Sequence, residues 1–186
     1  MFITKILPRK LNKISIALFC VAFSGQLTDL KAQVNMPLNF THTLLSSGWI
    51  DPVGITYDAN GVGYLWEKRG KVWRVNANGI KQTPVLLDIS DEVGNWRAHG
   101  MLGFALDPNF TTNGYIYCMY IVDRYALLNM GTPGYSTTTN QYNAATIGRI
   151  TRYQVNTATF TSIVPGSRLV LVGETKSTGF PILHES

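Results

Sequence analysis

The sequence predicts an all-β chain built of repeated four-stranded antiparallel sheets, and three observations predict it. Past residue 32 there is almost no helical periodicity, while short apolar or alternating runs bounded by Gly, Pro, Asn and Asp recur throughout. Two stretches copy one another: "PVGITYDANGVGYLWEK", from Pro52, and "MLGFALDPNFTTNGYIYCMY", from Met101. Each copy opens a group of four strand-like runs. Gly54 and Gly103 lie 49 positions apart, as do Asp58 and Asp107, whereas Tyr64 and Tyr115 lie 51 apart, which implies a two-residue insertion in the turn. Four strands repeating at roughly 45 to 50 residues is the period of β-propeller blades. A sandwich with two similar strands is the competing architecture.

Strands are expected near residues 52 to 57, 63 to 67, 71 to 75 and 84 to 88 in a first blade, and 102 to 106, 115 to 122, 147 to 155 and 168 to 172 in a second. The run "KRGK" puts Gly70 where a tight hairpin turn needs positive φ. The first strand of a blade faces the propeller axis, where neighbouring blades converge, so a side chain at Gly54 or Gly103 is expected to collide there. Asp58 and Asp107 stand where those strands end, and their carboxylates are expected to accept N–H groups of the turns they open rather than to act in catalysis. Residues 130 to 146, "MGTPGYSTTTNQYNAAT", form a polar segment with no apolar period. A loop that long is either disordered or functional.

The N-terminus reads differently. Lys5, Arg9, Lys10 and Lys13 precede the apolar run "ISIALFCVAF", the pattern of a secretory signal peptide. That run is too short to span a bilayer in the mature chain. Cleavage after Ser24 or after Ala32 fits the small residues there; the second gives a leader of residues 1 to 32 and a mature chain of 33 to 186. Phe19 argues against lipid attachment at Cys20. The leader holds five of the 16 basic residues (with Lys31) and one of the 11 acidic residues, Asp29, so the remainder has 11 bases and 10 acids. The excess of base belongs to the leader, which removes charge as an argument for a nucleic-acid or membrane partner. Cys118 is then the one cysteine left, with no disulfide partner, and reads as a small buried apolar residue.

Two blades cannot close a ring, and the sequence stops at "PILHES". The expectation is therefore the N-terminal part of a longer propeller. No nucleophile elbow, phosphate loop or HExxH pattern occurs.

The order "HGMLGFALDPNFTTNGYIYCMY", followed by "IGRITRYQV", resembles the soluble glucose/sorbosone dehydrogenase family. Its members carry Gly-Leu-Leu-Gly-x-Ala-x-x-Pro-x-Phe, then Asn-Gly-Tyr-Ile-Tyr, then an Arg-x-x-Arg-Tyr-like strand. The upstream hairpin matches the family's first blade through Glu67, Gly70, Val72, Arg74 and Val75, and the resemblance covers residues 48 to 173. It implies a six-bladed propeller holding pyrroloquinoline quinone (PQQ) and calcium near its axis, and the leader makes it secreted or periplasmic. The implied substrate is an aldose, whose hemiacetal hydroxyl is oxidised by hydride transfer to the quinone. A His acts as base, and an external acceptor takes the electrons. Most of the family's polar site groups come from later blades.

Within this chain the resemblance points to two places. The family's cofactor-contacting Gln falls on Ala98, which lacks an amide, so the flanking Arg97 and His99 are the expected cofactor contacts. The family's catalytic base begins a His-x-x-Gly-x-Leu pattern that "HES" starts, making His184 the candidate, unless the base follows Ser186. His42 reads as structural. Trp49, Trp66, Trp73 and Trp96 are candidates for stacking on sugar rings, although packing between blades accounts for Trp66 and Trp73. Ala98 keeps open an alternative, a non-catalytic carbohydrate- or protein-binding propeller; a calcium-dependent hydrolase is a more distant one.

Overall fold

The structure is a computed structural model that describes residues 37 to 41 and 44 to 182; the leader-like segment, Cys20, His42 and His184 lie outside the described residues. The chain divides into Met1–His42 and Thr43–Ser186. In the first unit the Phe40 N–H closes a turn on the Pro37 carbonyl. Everything below concerns the second.

Strands β1 (Pro52–Tyr57), β2 (Gly63–Glu67), β3 (Lys71–Val75) and β4 (Leu87–Asp88) pair antiparallel in that order. A second sheet repeats the meander with β5 (Met101–Leu106), β6 (Tyr115–Ile121), β7 (Thr146–Gln154) and β8 (Leu169–Val172). A short β9 (Phe180–Ile182) pairs with the first residues of β7. The sheets come closest at their inner strands, β1 against β5, and diverge beyond them. Two consecutive meanders fanning from their first strands are two neighbouring propeller blades. No helix among the described residues is long and apolar enough to cross a membrane.

The expected strands agree to within a residue, except that the run from 84 to 88 pairs only over Leu87–Asp88. Pro84 has no N–H to donate, and the chain instead meets β3 through a bridge at Lys81 and the Leu86 N–H on the Val72 carbonyl. Gly70 turns the β2–β3 hairpin at φ 96°. Two helical turns were not foreseen: α1 (Phe110–Asn113) and α2 (Arg124–Asn129). α2 starts where the Asp123 carboxylate accepts the N–H groups of Tyr125 and Ala126, a cap that the sequence pattern hides among aromatics.

The register corrects the repeat. Gly54 pairs with Trp66 and Gly103 with Met119; two residues on, Thr56 pairs with Tyr64 and Ala105 with Tyr117. The counterpart of Tyr64 is thus Tyr117, not Tyr115, and the insertion is the four residues of α1 rather than two. Chemistry agrees with register: the Tyr64 hydroxyl donates to Asp58 Oδ2 at 3.3 Å, and that of Tyr117 to Asp107 Oδ2 at 2.8 Å. The other carboxylate oxygens hold the turns. Asp58 Oδ1 accepts the N–H groups of Asn60 and Val62, and Asp107 Oδ1 those of the Asn109 backbone and the Asn113 amide. These donors, Asn109 first, hold the Asp107 carboxyl below the usual carboxylate range. An arginine follows on each third strand, Arg74 opposite Tyr64 and Arg152 opposite Tyr117.

The glycines have a different cause from the one expected. A Cβ on Gly54 would lie 2.4 Å from the Trp66 indole, whereas one on Gly103 would lie 3.2 Å from Met119 Cβ. The collision is with the cross-strand partner inside the same blade, not with a neighbouring blade at the axis. Trp66 lies over Gly54 and reaches Phe104 of the second blade, ring centroids 5.5 Å apart. Tyr64 meets Phe110 edge-on at 5.2 Å. Around these, Val72, Met101, Ile116, Cys118, Tyr120 and Tyr153 fill the hydrophobic core. Cys118 is fully buried, as expected, and burial pushes its thiol well up from the ordinary range. Trp73 does not pack between these blades. It lies on the far face of the first sheet, where the Lys81 ammonium sits 3.7 Å from its ring centre and 4.6 Å from that of Trp49.

A methyl group at position 54 must displace an indole, so Gly54→Ala should destabilise the chain by about 1 to 3 kcal/mol, and Gly103→Ala by less. Urea unfolding of the two variants measures this, and Trp66→Leu in the Gly54→Ala background should return part of the loss. Equal costs at both positions would favour crowding at the axis instead.

Candidate functional site

Antiparallel pairing brings the start of β5, the end of β6 and the start of β7 to one end of the blade. The connections 89 to 100 and 122 to 145 therefore meet there, beside the β2–β3 turn. The contact is specific. The Lys68 carbonyl accepts the Met101 N–H at 2.8 Å, and the Lys68 ammonium bonds the Arg97 carbonyl. Gly100 is needed where they cross: at φ 144° its Cβ would sit 2.7 Å from the Lys68 oxygen.

Glu92 fixes the first connection. Its side chain, 2% exposed, leaves the segment between the blades and enters the inner face of the second sheet. There Oε1 accepts the hydroxyls of Tyr120 at 2.8 Å and Tyr153 at 3.2 Å, and Oε2 accepts Arg149 Nη1 at 3.1 Å and Arg168 Nη2 at 3.0 Å. Arg149 is itself buried, with Nε donating to the Gly173 carbonyl at 2.7 Å. Burial, then the Glu92 charge, pushes the Tyr120 and Tyr153 hydroxyls well above their ordinary range, so both remain donors. Burial works against the Arg168 charge, but Glu92 outweighs it and the guanidinium is held more firmly protonated.

The second connection folds against the first. The Glu92 carbonyl accepts the Asp123 N–H, and the Ile121 carbonyl accepts the Gly94 N–H, both at 2.9 Å. The Asp123 carboxylate, 4% exposed, caps α2 and also accepts the Gln141 N–H at 3.1 Å. The Tyr135 hydroxyl donates to the Asp91 carbonyl at 2.9 Å, and its ring stacks on Tyr125. Trp96 stacks on Tyr142 with centroids 5.6 Å apart and planes 16° from parallel. The polar segment 130 to 146 is thus tied down along its length.

On this frame Arg97 and His99 point different ways. Arg97 is exposed, with φ 44°, a left-handed conformation costly for a non-glycine residue and held by the Lys68 grip on its carbonyl. His99 is turned inward, 9% exposed, its N–H on the Trp96 carbonyl at 2.7 Å. Ala98, between them, is exposed. Among the described residues no three His, Cys, Asp or Glu side chains gather as a metal cluster would. Reading the sequence missed Glu92, Asp123 and Tyr142. The available signal was the acidic pair Asp91-Glu92 directly before the second apolar repeat, in a chain with few charges.

Removing one partner of this network strands two guanidinium groups, so Glu92→Ala should cost about 3 to 5 kcal/mol, far above the roughly 0 to 1 kcal/mol of an exposed pair such as Arg69–Asp51. Chemical denaturation of both variants separates the two; a Glu92→Ala chain as stable as Asp51→Ala would contradict the network's role.

No family model matches the chain, and no curated protein does. Among solved structures, 26 chains match. One is the PQQ-bound form of an aldose sugar dehydrogenase from Streptomyces coelicolor, with a TM-score of 0.47 and 15% identity, covering 70% of this chain and 32% of that one. Two others are glucose dehydrogenases, each with a TM-score of 0.47 and 12% identity, covering 68% of this chain and 30% and 33% of theirs. The chain spans about a third of the length of the solved structures it matches.

Proposed function

We propose that these two blades belong to a secreted propeller that oxidises an aldose by hydride transfer to PQQ. One observation carries the reading: the segment from His99 to Tyr120, which resembles the dehydrogenase family, occupies the first two strands of a blade, and the connection leading into it, held by hydrogen bonds at Gly94, Arg97 and Met101, leaves Arg97 exposed at one end of that blade. An exposed guanidinium on a fixed backbone suits an anionic quinone, because little ordering remains to be done when the two meet. Arg97 would hold the cofactor by a charge-assisted hydrogen bond, and His99, buried behind it, would set the shape of the loop. Ala98 contributes backbone only. When bound, PQQ supplies the two-electron acceptor for the sugar's hydride. Calcium and the base at His184 rest on the family resemblance, since no clustered metal ligands occur among the described residues and His184 lies outside them.

Adding PQQ and calcium to the full-length protein should give a retained cofactor and aldose-dependent reduction of a dye by the external route the reading requires. Arg97→Ala should weaken cofactor retention by about tenfold or more, the loss of one charge-assisted hydrogen bond. No retention and no dye reduction with any aldose would leave a binding propeller as the better account.

A further inference from the structure

All four tryptophans are occupied, and one of them, Trp96, supports a partly exposed tyrosine. Trp66 is covered by Phe104 and lies on Gly54, and Trp49 and Trp73 flank the Lys81 ammonium. Trp96 backs Tyr142, a residue 39% exposed at the same end of the blade as Arg97. The Arg97 guanidinium stands 5.6 Å from the Trp96 ring centre, so whatever lies on Tyr142 is next to the loop that would hold the cofactor.

The surroundings of that ring restrict its ligand. Residues 130 to 146 contain no Asp, Glu, Lys or Arg. Flanking Tyr142 in the sequence, Thr138, Thr139, Asn140, Gln141 and Asn143 are exposed, and their hydroxyls and amides both donate and accept. An aromatic face edged by such groups, with the Arg97 guanidinium beside Trp96, fits the apolar C–H face and the hydroxyl rim of a sugar, whose hydroxyls amides and a guanidinium can reach; it offers little to a purely apolar partner. It is also built before any ligand arrives: Asp123 holds Gln141, Trp96 supports Tyr142, and the Ala145 carbonyl accepts from Arg124. We propose that Tyr142, backed by Trp96 and edged by residues 138 to 143, is a subsite for a neutral pyranose ring other than the one oxidised, so that the site prefers oligosaccharides to single sugars. The oxidised ring in this statement rests on the dehydrogenase reading; the platform does not.

The test uses the full-length chain without cofactor and two probes, cellobiose and methyl β-D-glucoside; the glucoside lacks a hemiacetal hydroxyl and cannot be turned over. Saturation-transfer NMR and tryptophan fluorescence should show saturable binding of both, weakened by about tenfold or more in Tyr142→Ala and retained in Tyr142→Phe. Because Tyr142 also orders its own segment by stacking on Trp96, a second variant that leaves the stack in place, Asn140→Ala, should weaken binding as well. With cofactor loaded, Tyr142→Ala should raise KM for cellobiose by a larger factor than that for glucose. Absent binding by the wild type, or undiminished binding by Tyr142→Ala, overturns the subsite. Glucoside binding through Tyr142 in a chain that never retains PQQ would keep the subsite and refute the dehydrogenase reading.

Discussion

A single buried carboxylate ties the connection between the blades to the second sheet. Glu92 belongs to the segment that leaves the first blade, yet all four of its partners, Tyr120, Tyr153, Arg149 and Arg168, belong to the second. Burying a carboxylate among apolar side chains costs several kcal/mol, a loss recovered only if every lone pair is engaged. Two tyrosine hydroxyls and two guanidinium groups engage them here. The geometry that satisfies Glu92 consequently sets where residues 93 to 100 run, and through the backbone bonds at Gly94 and Asp123 it sets the neighbouring connection as well. The apolar core supplies most of the cohesion between blades. The carboxylate supplies the direction.

Fold was largely legible because it depends on local signals. Alternating apolar runs, turn residues at fixed offsets and a repeated Gly…Asp…Tyr order located the strands from Pro52 to Val75 without error, and gave the blade period. Where the reading slipped, two candidates shared one pattern. Tyr115 and Tyr117 both follow a Gly at plausible spacing, and only hydrogen-bond register shows that Tyr117 faces Asp107. Likewise a glycine on an inner strand signals a close approach, but sequence does not say from where; the answer, Trp66, sits twelve residues on and across the hairpin.

The candidate site was less legible, for a physical reason. Its organisation rests on contacts between distant segments: Glu92 with Arg168, Asp91 with Tyr135, Trp96 with Tyr142. None leaves a periodic trace. Arg97 and His99 were singled out through resemblance alone, and the structure adds that the first is exposed and the second buried. The polar segment 130 to 146 looked featureless since its order comes from capping and stacking at Asp123, Tyr135 and Tyr142 rather than from an apolar stripe. In a propeller such connections are where function resides, because the sheets leave them free to vary while fixing their ends.

If Glu92 anchors the link between blades, the backbone amides beside it should be protected as strongly as the strands. Native-state hydrogen exchange on the wild type and on Glu92→Gln measures this directly. The account predicts that Gly94 and Asp123 exchange in the wild type as slowly as Cys118 in the core, and that Glu92→Gln accelerates both while Leu65 in the first sheet is unchanged. Fast exchange at Gly94 and Asp123 in the wild type, or no response to the substitution, would contradict it.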